Sequence, residues 1–148
     1  MMVIHSEIIC LDTSDNLEII NLSPRISSVI ASSGIFNGLA IISSRHTTTA
    51  LFVNEFEQRL VEDIKAFFTN LVPSNKKYLH NDINLRDCPP DEPENAHSHI
   101  LAMLLNNSEI IPVVDGKMSL GQWQSVMLVE LDGPRKRTVQ LQIFGENK

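Results

Sequence analysis

The sequence has 148 residues, a net charge of −6 and 43% hydrophobic residues. Its length and composition predict one domain, residues 1–148, with a core large enough to fold without disulfides. The acidic balance argues against a nucleic-acid partner, and no apolar run approaches the roughly 20 residues that cross a bilayer, so we expect no membrane contact. Two cysteines without metal-ligand spacing indicate a reduced, cytoplasmic protein.

Hydrophobic periodicity predicts strands and a short helix in the first third of the chain. Runs of β-branched and aliphatic residues predict strands at Val3–Leu11 and Leu17–Leu22, and the turn residues between them predict a hairpin. Ser23-Pro24 has the pattern of an N-cap followed by proline, and Gly34 can end the helix in the left-handed conformation. Two further strands are predicted at Gly38–Ser43 and Thr49–Val53.

The strongest helical pattern begins at Asn54 and stops at Pro73. Asn54 and Glu57 have the spacing of a capping box. Apolar residues recur at helical spacing and predict a buried face: Phe56, Leu60, Ile64, Phe67 and Leu71. Asp63 lies at the edge of this face, where Arg59, four residues earlier, is its expected partner.

The second half of the chain predicts a long loop, one helix and three strands. Ser74–Pro93 is the loop, and Glu94–Leu105 is a helix whose predicted buried residues are Ala96, Ile100, Met103 and Leu104. Strands are predicted at Ile110–Val114, Trp123–Leu131 and Thr138–Phe144, with turns at Asp115-Gly116 and Asp132-Gly133. The second of these strands is apolar on both faces, so helices or a neighbouring subunit should cover it. The sum is an α+β fold with a mainly antiparallel sheet.

Three histidines lie at the ends of segments that are otherwise built to be buried: His46, His80 and His99. Imidazoles bind zinc-like metals and carry protons near neutral pH. Asn95 lies four residues before His99 and therefore shares its helical face. The spacing of these histidines matches no known metal-binding motif. Histidines that only make structural hydrogen bonds are therefore an equally open interpretation.

A second cluster of polar residues predicts an anion-binding site. The segment from Arg45 through His46 to Thr47 and Thr48 supplies the donors that a phosphate or carboxylate needs, although threonine runs are also common in strands. Glu130 is predicted to share a buried strand face with Gln124. A carboxylate there needs a cation, and Arg137 on the next strand is the expected partner.

These residues resemble the YjbQ-like family, whose members are often labelled secondary thiamine-phosphate synthases. The resemblance covers residues from about 40 to the end of the chain. The matching segments are His46-Thr47-Thr48, Asn54-Glu55, Asp63, Tyr78 with His80-Asn81, Asn95-Ala96-His97-Ser98-His99, Asp115-Gly116, Leu120-Gly121-Gln122-Trp123-Gln124, and Glu130 through Asp132-Gly133-Pro134-Arg135 to Arg137. Gln122 departs from the family pattern, which has threonine at that position.

The resemblance implies a two-layer α/β sandwich that forms trimers, with a histidine-lined cleft suspected of holding a divalent metal. It also implies a reaction that joins a hydroxymethylpyrimidine diphosphate to a thiazole phosphate, giving thiamine phosphate and pyrophosphate. Imidazole ligands favour a zinc-like ion over magnesium, which prefers oxygen.

We therefore expect a phosphorylated metabolite as the partner and assign roles to the candidate residues. The expected metal or acid–base groups are His46, His80 and His99; the orienting amides are Asn95 and Gln124; the supporting or basic carboxylate is Glu55 or Glu130; the anion contacts are Arg45, Thr47, Thr48 and Arg137. Two alternatives remain open, a metal-dependent phosphate or ester hydrolase that uses the same histidines and a non-catalytic trimeric protein that binds an anionic metabolite.

Overall fold

The computed structural model describes every residue from Met1 to Lys148. Eight strands and three α-helices follow one another along the chain. They are β1 Met2–Asp12, β2 Glu18–Asn21, α1 Ser23–Ser33, β3 Ile35–Ser44, β4 Thr49–Asn54, α2 Gln58–Leu71, α3 Ala96–Leu104, β5 Ser108–Val114, β6 Lys117–Met118, β7 Ser125–Glu130 and β8 Lys136–Asn147. The predicted long loop joins α2 to α3 and contains only two short 3₁₀ turns, Leu79–Asn81 and Ile83–Leu85.

The strands form two antiparallel sheets, of order β1-β8-β3-β5-β6 and β2-β7-β4. This confirms the α+β class and the antiparallel pairing. The predicted hairpin of the first two strands is wrong, because β1 pairs with β8 and β2 pairs with β7. Length explains the difference: the 11 residues of β1 all find partners on the 12-residue β8, whereas β2 has four residues.

Strand β7 lies in the middle layer of the protein. Val126 and Leu128 point into a core between the two sheets, to which α1 also contributes. Met127 and Val129 point the other way, into a second core with residues of α2 and α3. The chain therefore covers both apolar faces of this strand itself. The result is three layers, a large sheet, a small sheet and a pair of helices, and not the two layers that were expected.

The first helix ends where the sequence predicted. Gly34 has a φ of 72° and forms the left-handed C-cap of α1. At the other end Leu22, not Ser23, is the N-cap. The hydroxyl of Ser23 instead accepts a hydrogen bond from the backbone N–H of Val126, which ties the helix start to β7.

The second helix begins four residues later than predicted. Asn54 is still part of β4, and Glu57 is the N-cap of α2. The Glu57 carboxylate accepts hydrogen bonds from the backbone N–H groups of Arg59 and Leu60, and these bonds lower its pKa. Asp63 is exposed and makes no ion pair with Arg59, so that expectation is wrong.

The predicted buried faces of α2 and α3 are right in part: Ala96 is buried, and Ile64 and Ile100 pack against the second core. The residues of α2 that the core buries are Val61 and Phe68, whereas Phe67 and Leu71 are about half exposed. The small sheet covers the helix faces that carry Val61, Phe68 and Leu101. On α3 the buried residues are Ala96, Ser98 and Leu101, while Met103 and Leu104 are exposed.

The outer face of the large sheet also exposes apolar side chains. Ile4 and Ile8 of β1 and Ile110 and Val114 of β5 are exposed on strands whose other side chains enter the core. No element of the chain packs on this face. No helix is long and apolar enough to cross a membrane.

Candidate functional site

A cleft of about 310 Å³ lies between the β3–β4 connection and α3. We call it the His46 cleft. Its lining residues are His46, Thr47, Thr49, His99, Ala102, Met103 and Asn107. Two of the three predicted histidines therefore share one cavity. None of the lining residues is acidic, so the cleft offers hydrogen-bond donors without a carboxylate that would repel an anion.

The hydrogen bonds of His46 define its tautomer. Its Nε2 accepts a hydrogen bond of 2.9 Å from the backbone N–H of Thr138 on β8. The proton of the neutral ring therefore resides on Nδ1, which makes no hydrogen bond to the chain and can donate to a ligand. Burial lowers the pKa of His46 below its ordinary value, and the positive charges of Arg137 and Arg45 lower it further, so the ring is neutral at pH 7.

His80 and His99 form an edge-to-face pair. Their ring centroids are 4.8 Å apart with an interplanar angle of 74°. Burial lowers the pKa of His99, and the neighbouring His80 and Arg86 act in the same direction, while Asp132 and the main chain of Thr47 oppose them. The Nε2 atom of His80 is buried and has no hydrogen-bond partner. His99 thus connects His80 to the His46 cleft as a neutral ring near pH 7.

The start of α3 is held in place by a polar network. The backbone N–H of Ala96 donates to the Asn81 side chain, and the Asn95 amide donates to Asp132 at 2.8 Å. Asp132 also forms an ion pair of 2.8 Å with Arg135. Asn95 is buried and does not line the His46 cleft, so its contacts position the helix that carries His99 and do not face a ligand.

Ser98 supplies a further anchor, because its buried hydroxyl donates to the carbonyl oxygen of Leu131 at 2.5 Å. That bond uses the hydroxyl proton, so Ser98 can only accept from the Nε2 of His97, which lies 3.3 Å away. Burial lowers the pKa of His97, and Asp132 partly offsets the shift. His97 lines a different cavity, beyond the opposite side of α3.

Glu130 and Arg137 form the buried ion pair that the sequence predicted. Two hydrogen bonds of 2.5 and 2.6 Å join the guanidinium to the carboxylate. Thr13 and the backbone N–H of Asp132 also donate to Glu130, and Arg137 donates to the hydroxyl of Thr48. Both charged groups are therefore paired within the fold, and neither they nor Thr48 line the His46 cleft.

The predicted trio of metal ligands does not assemble within one chain. No three His, Cys, Asp or Glu side chains lie close enough together to hold one metal ion. His46 does not fit the role, since its Nε2 lone pair accepts the Thr138 N–H and its Nδ1 carries the proton. Only His80 and His99 remain adjacent, and two imidazoles are fewer than the three protein ligands of catalytic zinc sites.

Two of the predicted site residues lie far from the cleft. Asn54 of β4 pairs with Ser125 of β7 at the end of the small sheet that is opposite to Thr49 and Glu130. Glu55 follows Asn54 and Gln124 precedes Ser125, so both lie at that far end. The side chain of Gln124 accepts a hydrogen bond from the backbone N–H of Gly121, and Gln122 is exposed and lines no cavity of the chain.

Sequence reasoning missed several residues that shape the cleft. Thr49 and Asn107 line it, and Thr138 fixes the His46 ring. Asn107 directly precedes β5, and its carbonyl oxygen accepts a hydrogen bond from the backbone N–H of Ser44 at the end of β3. This placement follows from the pairing of β5 with β3, which no local pattern indicates. Asp132 was predicted only as a turn residue. Its position shortly before the strand that carries Arg137 was the one feature of the sequence that could have indicated a structural role.

Together these features define the class of protein: a three-layer α+β domain with an antiparallel sheet pair and a cleft formed by histidines and donors. A family model described as "UPF0047 protein YjbQ-like" matches residues 7–146. The chain belongs to the YjbQ-like (UPF0047) family.

Relatives and solved structures agree with this assignment over nearly the whole chain. A UPF0047 protein of Methanothermobacter thermautotrophicus is 40% identical over 145 residues, covering 98% of this chain and 95% of that protein. A YbjQ-like protein of unknown function from Sulfolobus solfataricus P2 has a TM-score of 0.88 at 33% identity, covering 99% and 100% of the two chains. A hypothetical protein of Aeropyrum pernix K1 has a TM-score of 0.86 at 37% identity, covering 96% and 99%.

Proposed function

We propose that this protein is a small enzyme that binds a phosphorylated metabolite in the His46 cleft. The observation that carries the proposal is the Nδ1–H of His46, a free donor that the Thr138 backbone fixes by occupying Nε2. Thr47 and Asn107 add donors, and Arg45 lies next to the cleft. Donors without competing carboxylates are the chemistry that recognises phosphate groups.

The reaction we propose is the thiamine-phosphate synthase reaction that the family resemblance implies. Its diphosphate leaving group gains negative charge as the bond to the pyrimidine carbon breaks, and donors already aligned in the cleft would stabilise that charge. The attacking thiazole nitrogen has no proton to lose, so the step needs no base; the C–O bond to the diphosphate breaks as the C–N bond forms. A neutral His99, next to His80, would instead offer its ring N–H to the departing diphosphate.

The lowered pKa of His99 also favours a second candidate, hydrolysis of a phosphate or ester. A neutral imidazole at the edge of an anion-binding cleft can remove a proton from an attacking water molecule. This candidate uses the same residues and differs in its acceptor, which is water and not a thiazole phosphate.

A divalent metal remains a separate proposal. His46 does not fit as a ligand, so any metal bound to this chain would need ligands beyond the three histidines. Metal analysis of the purified protein tests it: a bound zinc-like ion that is lost in a His80→Ala variant supports the proposal, and a metal-free protein that keeps full activity in chelator removes it.

We also propose that the protein is a cytoplasmic homotrimer. The exposed apolar residues on the outer face of the large sheet, Ile4, Ile8, Ile110 and Val114, support self-association, because such a surface is costly to leave in water. The two unpaired cysteines suit a reducing compartment. Light scattering tests the assembly, since a trimer has three times the monomer mass of 16.6 kDa.

The enzymatic proposal is tested by supplying both thiamine precursors and measuring thiamine phosphate. Loss of the His99 donor to the leaving diphosphate should lower the rate by roughly 10²–10³-fold in a His99→Ala variant. His5→Ala is the matched control, because His5 lies on β1 away from the cleft. A wild-type yield no higher than that of His99→Ala would exclude the synthase. A phosphoester panel then tests the hydrolase, and pyrophosphate binding without turnover in either assay would leave the non-catalytic binding protein.

A further inference from the structure

The candidate residues lie at two opposite ends of the small sheet. Strands β4 and β7 pair from Thr49 opposite Glu130 at one end to Asn54 opposite Ser125 at the other. Five residue steps of an antiparallel strand span about 17 Å. The His46 cleft adjoins the first end, and Glu55 and Gln124 adjoin the second, so no one chain can bring these two groups to the same ligand.

The far end presents an exposed aromatic surface. A turn closes between Gly121 and Gln124, in which the Gln124 N–H donates to the Gly121 carbonyl and the Gly121 N–H donates to the Gln124 side chain. Trp123 lies in the middle of this turn and is 67% exposed. Phe56, two residues after the end of β4, is 44% exposed. We call Glu55, Phe56, Trp123 and Gln124 the far-end patch.

Exposed tryptophan beside polar side chains is the composition of an interface anchor, since Trp is enriched among the residues that dominate binding energy. The two hydrogen bonds of the turn fix the backbone that carries Trp123. The Gln124 side chain uses its oxygen to accept from Gly121, which leaves both amide hydrogens free to donate. The far-end patch is therefore built to contact another surface and to offer donors there.

The His46 cleft has the complementary features. It is shallow and open to solvent, although the proposed condensation needs water to be kept from the reacting pyrimidine carbon. Met103 lines the cleft and is 76% exposed, and Leu104 next to it is exposed as well. Arg45 is exposed beside the cleft, whereas the far end carries Glu55. Both surfaces therefore expose apolar side chains, and they carry charges of opposite sign.

We propose that the far-end patch of a second copy of this chain covers the His46 cleft, so that each site is completed by two copies. The inference rests on the proposed function of the cleft. The partner's Trp123 packs against Met103 and excludes water, and the partner's Gln124 adds amide donors for the bound anion. Each copy uses two different surfaces, and such a contact closes into a ring when the rotation permits.

Trp123 makes the contact directly measurable, because it is the one tryptophan of the chain. In the assembled protein we expect its fluorescence to be blue-shifted and weakly quenched by acrylamide. Met103→Glu should place a charge in the contact and give the red-shifted, strongly quenched emission of an exposed indole. Leu85→Glu is the matched control, since Leu85 is exposed on the long loop outside both surfaces, and it should leave the emission unchanged.

A mixing experiment tests the shared site. His99→Ala and Gln124→Ala should each abolish pyrophosphate binding, measured by calorimetry on the full-length protein. When the two variants are dissociated, mixed equally and reassembled, about a quarter of the sites should pair an intact His99 with a neighbour's intact Gln124. Recovery of that fraction supports the proposal. No recovery, with mixed oligomers confirmed by mass spectrometry, overturns it.

The outcomes separate this inference from the proposed function. An assembled protein whose Trp123 is quenched as strongly as a free indole overturns the shared site, whatever the cleft binds. A protein that remains monomeric at micromolar concentration overturns it too. If Trp123 is shielded but the protein does not bind pyrophosphate, the proposed contact between copies is supported and the proposed anion-binding function is contradicted.

Discussion

Removing the arginine of the buried ion pair should destabilise the fold severely. Arg137→Met eliminates two hydrogen bonds to Glu130 and one to Thr48, and it leaves a carboxylate that is 0% exposed without its cation. Breaking a buried pair by removing one partner costs about 3–5 kcal/mol. Thr13 and the Asp132 N–H still donate to Glu130, so we expect about 3 kcal/mol, a large part of the 5–15 kcal/mol that is typical of a domain.

Urea denaturation of wild type and variant measures this loss, and the Tm should fall by about 10 °C. The control is the double variant Glu130→Leu with Arg137→Met, which buries no charge. It should be more stable than Arg137→Met alone, although it contains one more substitution. A loss below about 1 kcal/mol for Arg137→Met, or a double variant whose loss equals the sum of the two single losses, would refute the reasoning.

The same pair predicts an acid limb in the stability profile. Burial raises the pKa of Glu130, but the hydrogen bonds from Arg137, Asp132 and Thr13 outweigh it and hold the pKa below its ordinary value. A carboxyl whose folded pKa is depressed stabilises the fold above its unfolded pKa and loses that contribution as the pH falls through the folded pKa. Stability of the wild type should therefore decline below about pH 4.5, and the double variant should decline less.

Three further predictions concern the turns, α3 and the histidines. Gly133→Ala should cost more than about 2 kcal/mol because its Cβ would clash with the carbonyl oxygen of Asp15, whereas Gly121→Ala, whose Cβ meets only the Gln124 side chain at 3.3 Å, should cost less than about 0.5 kcal/mol. Urea denaturation compares the two variants. Ser98→Ala should cost about 1–2 kcal/mol in the same assay by leaving a buried carbonyl oxygen without its donor, and a loss near zero would contradict that assignment. The lowered pKa of His99 means that the folded state binds fewer protons than the unfolded chain, so stability should fall as the pH drops below about 6.5, and His99→Asn should flatten that slope.

Local signals in the sequence predicted the elements well. The left-handed position of Gly34 and the end of α2 before Pro73 are set by short-range chemistry, and both were predicted. The start of α2 was missed because Asn54 and Glu57 are both competent caps. The backbone hydrogen bonds of β4 occupy Asn54, which leaves Glu57 to cap the helix.

Long-range pairing was beyond local patterns. Nothing in the sequence of β1 indicates that its partner is β8, whose paired residues lie well over 100 positions away. The turn-rich stretch after β1 made the adjacent strand look like the partner. The apolar residues that were predicted to be buried on α2 and α3 are partly exposed for a related reason. A stripe predicts that some surface covers it, but it does not say whether that surface is the chain's own sheet or another molecule.

The candidate site was predicted in part. The sequence predicted the Glu130–Arg137 pair, and the two histidines that line one cleft, His46 and His99, were both candidates. It did not predict that the Thr138 backbone would occupy the Nε2 of His46, which turns an expected metal ligand into a donor. The contact between Thr138 and His46 depends on the register of β8 against β3. The spacing of residues along the sequence does not predict that register.

The protonation of His46 is the most direct test of the account. Nitrogen NMR of histidine-labelled protein at pH 7 distinguishes a protonated Nδ1 from a protonated Nε2. We predict a neutral His46 ring with its proton on Nδ1, and a shift of that Nδ1–H resonance when pyrophosphate is added. A ring that carries its proton on Nε2, or an Nδ1–H signal that does not respond to pyrophosphate, would contradict the proposed anion cleft.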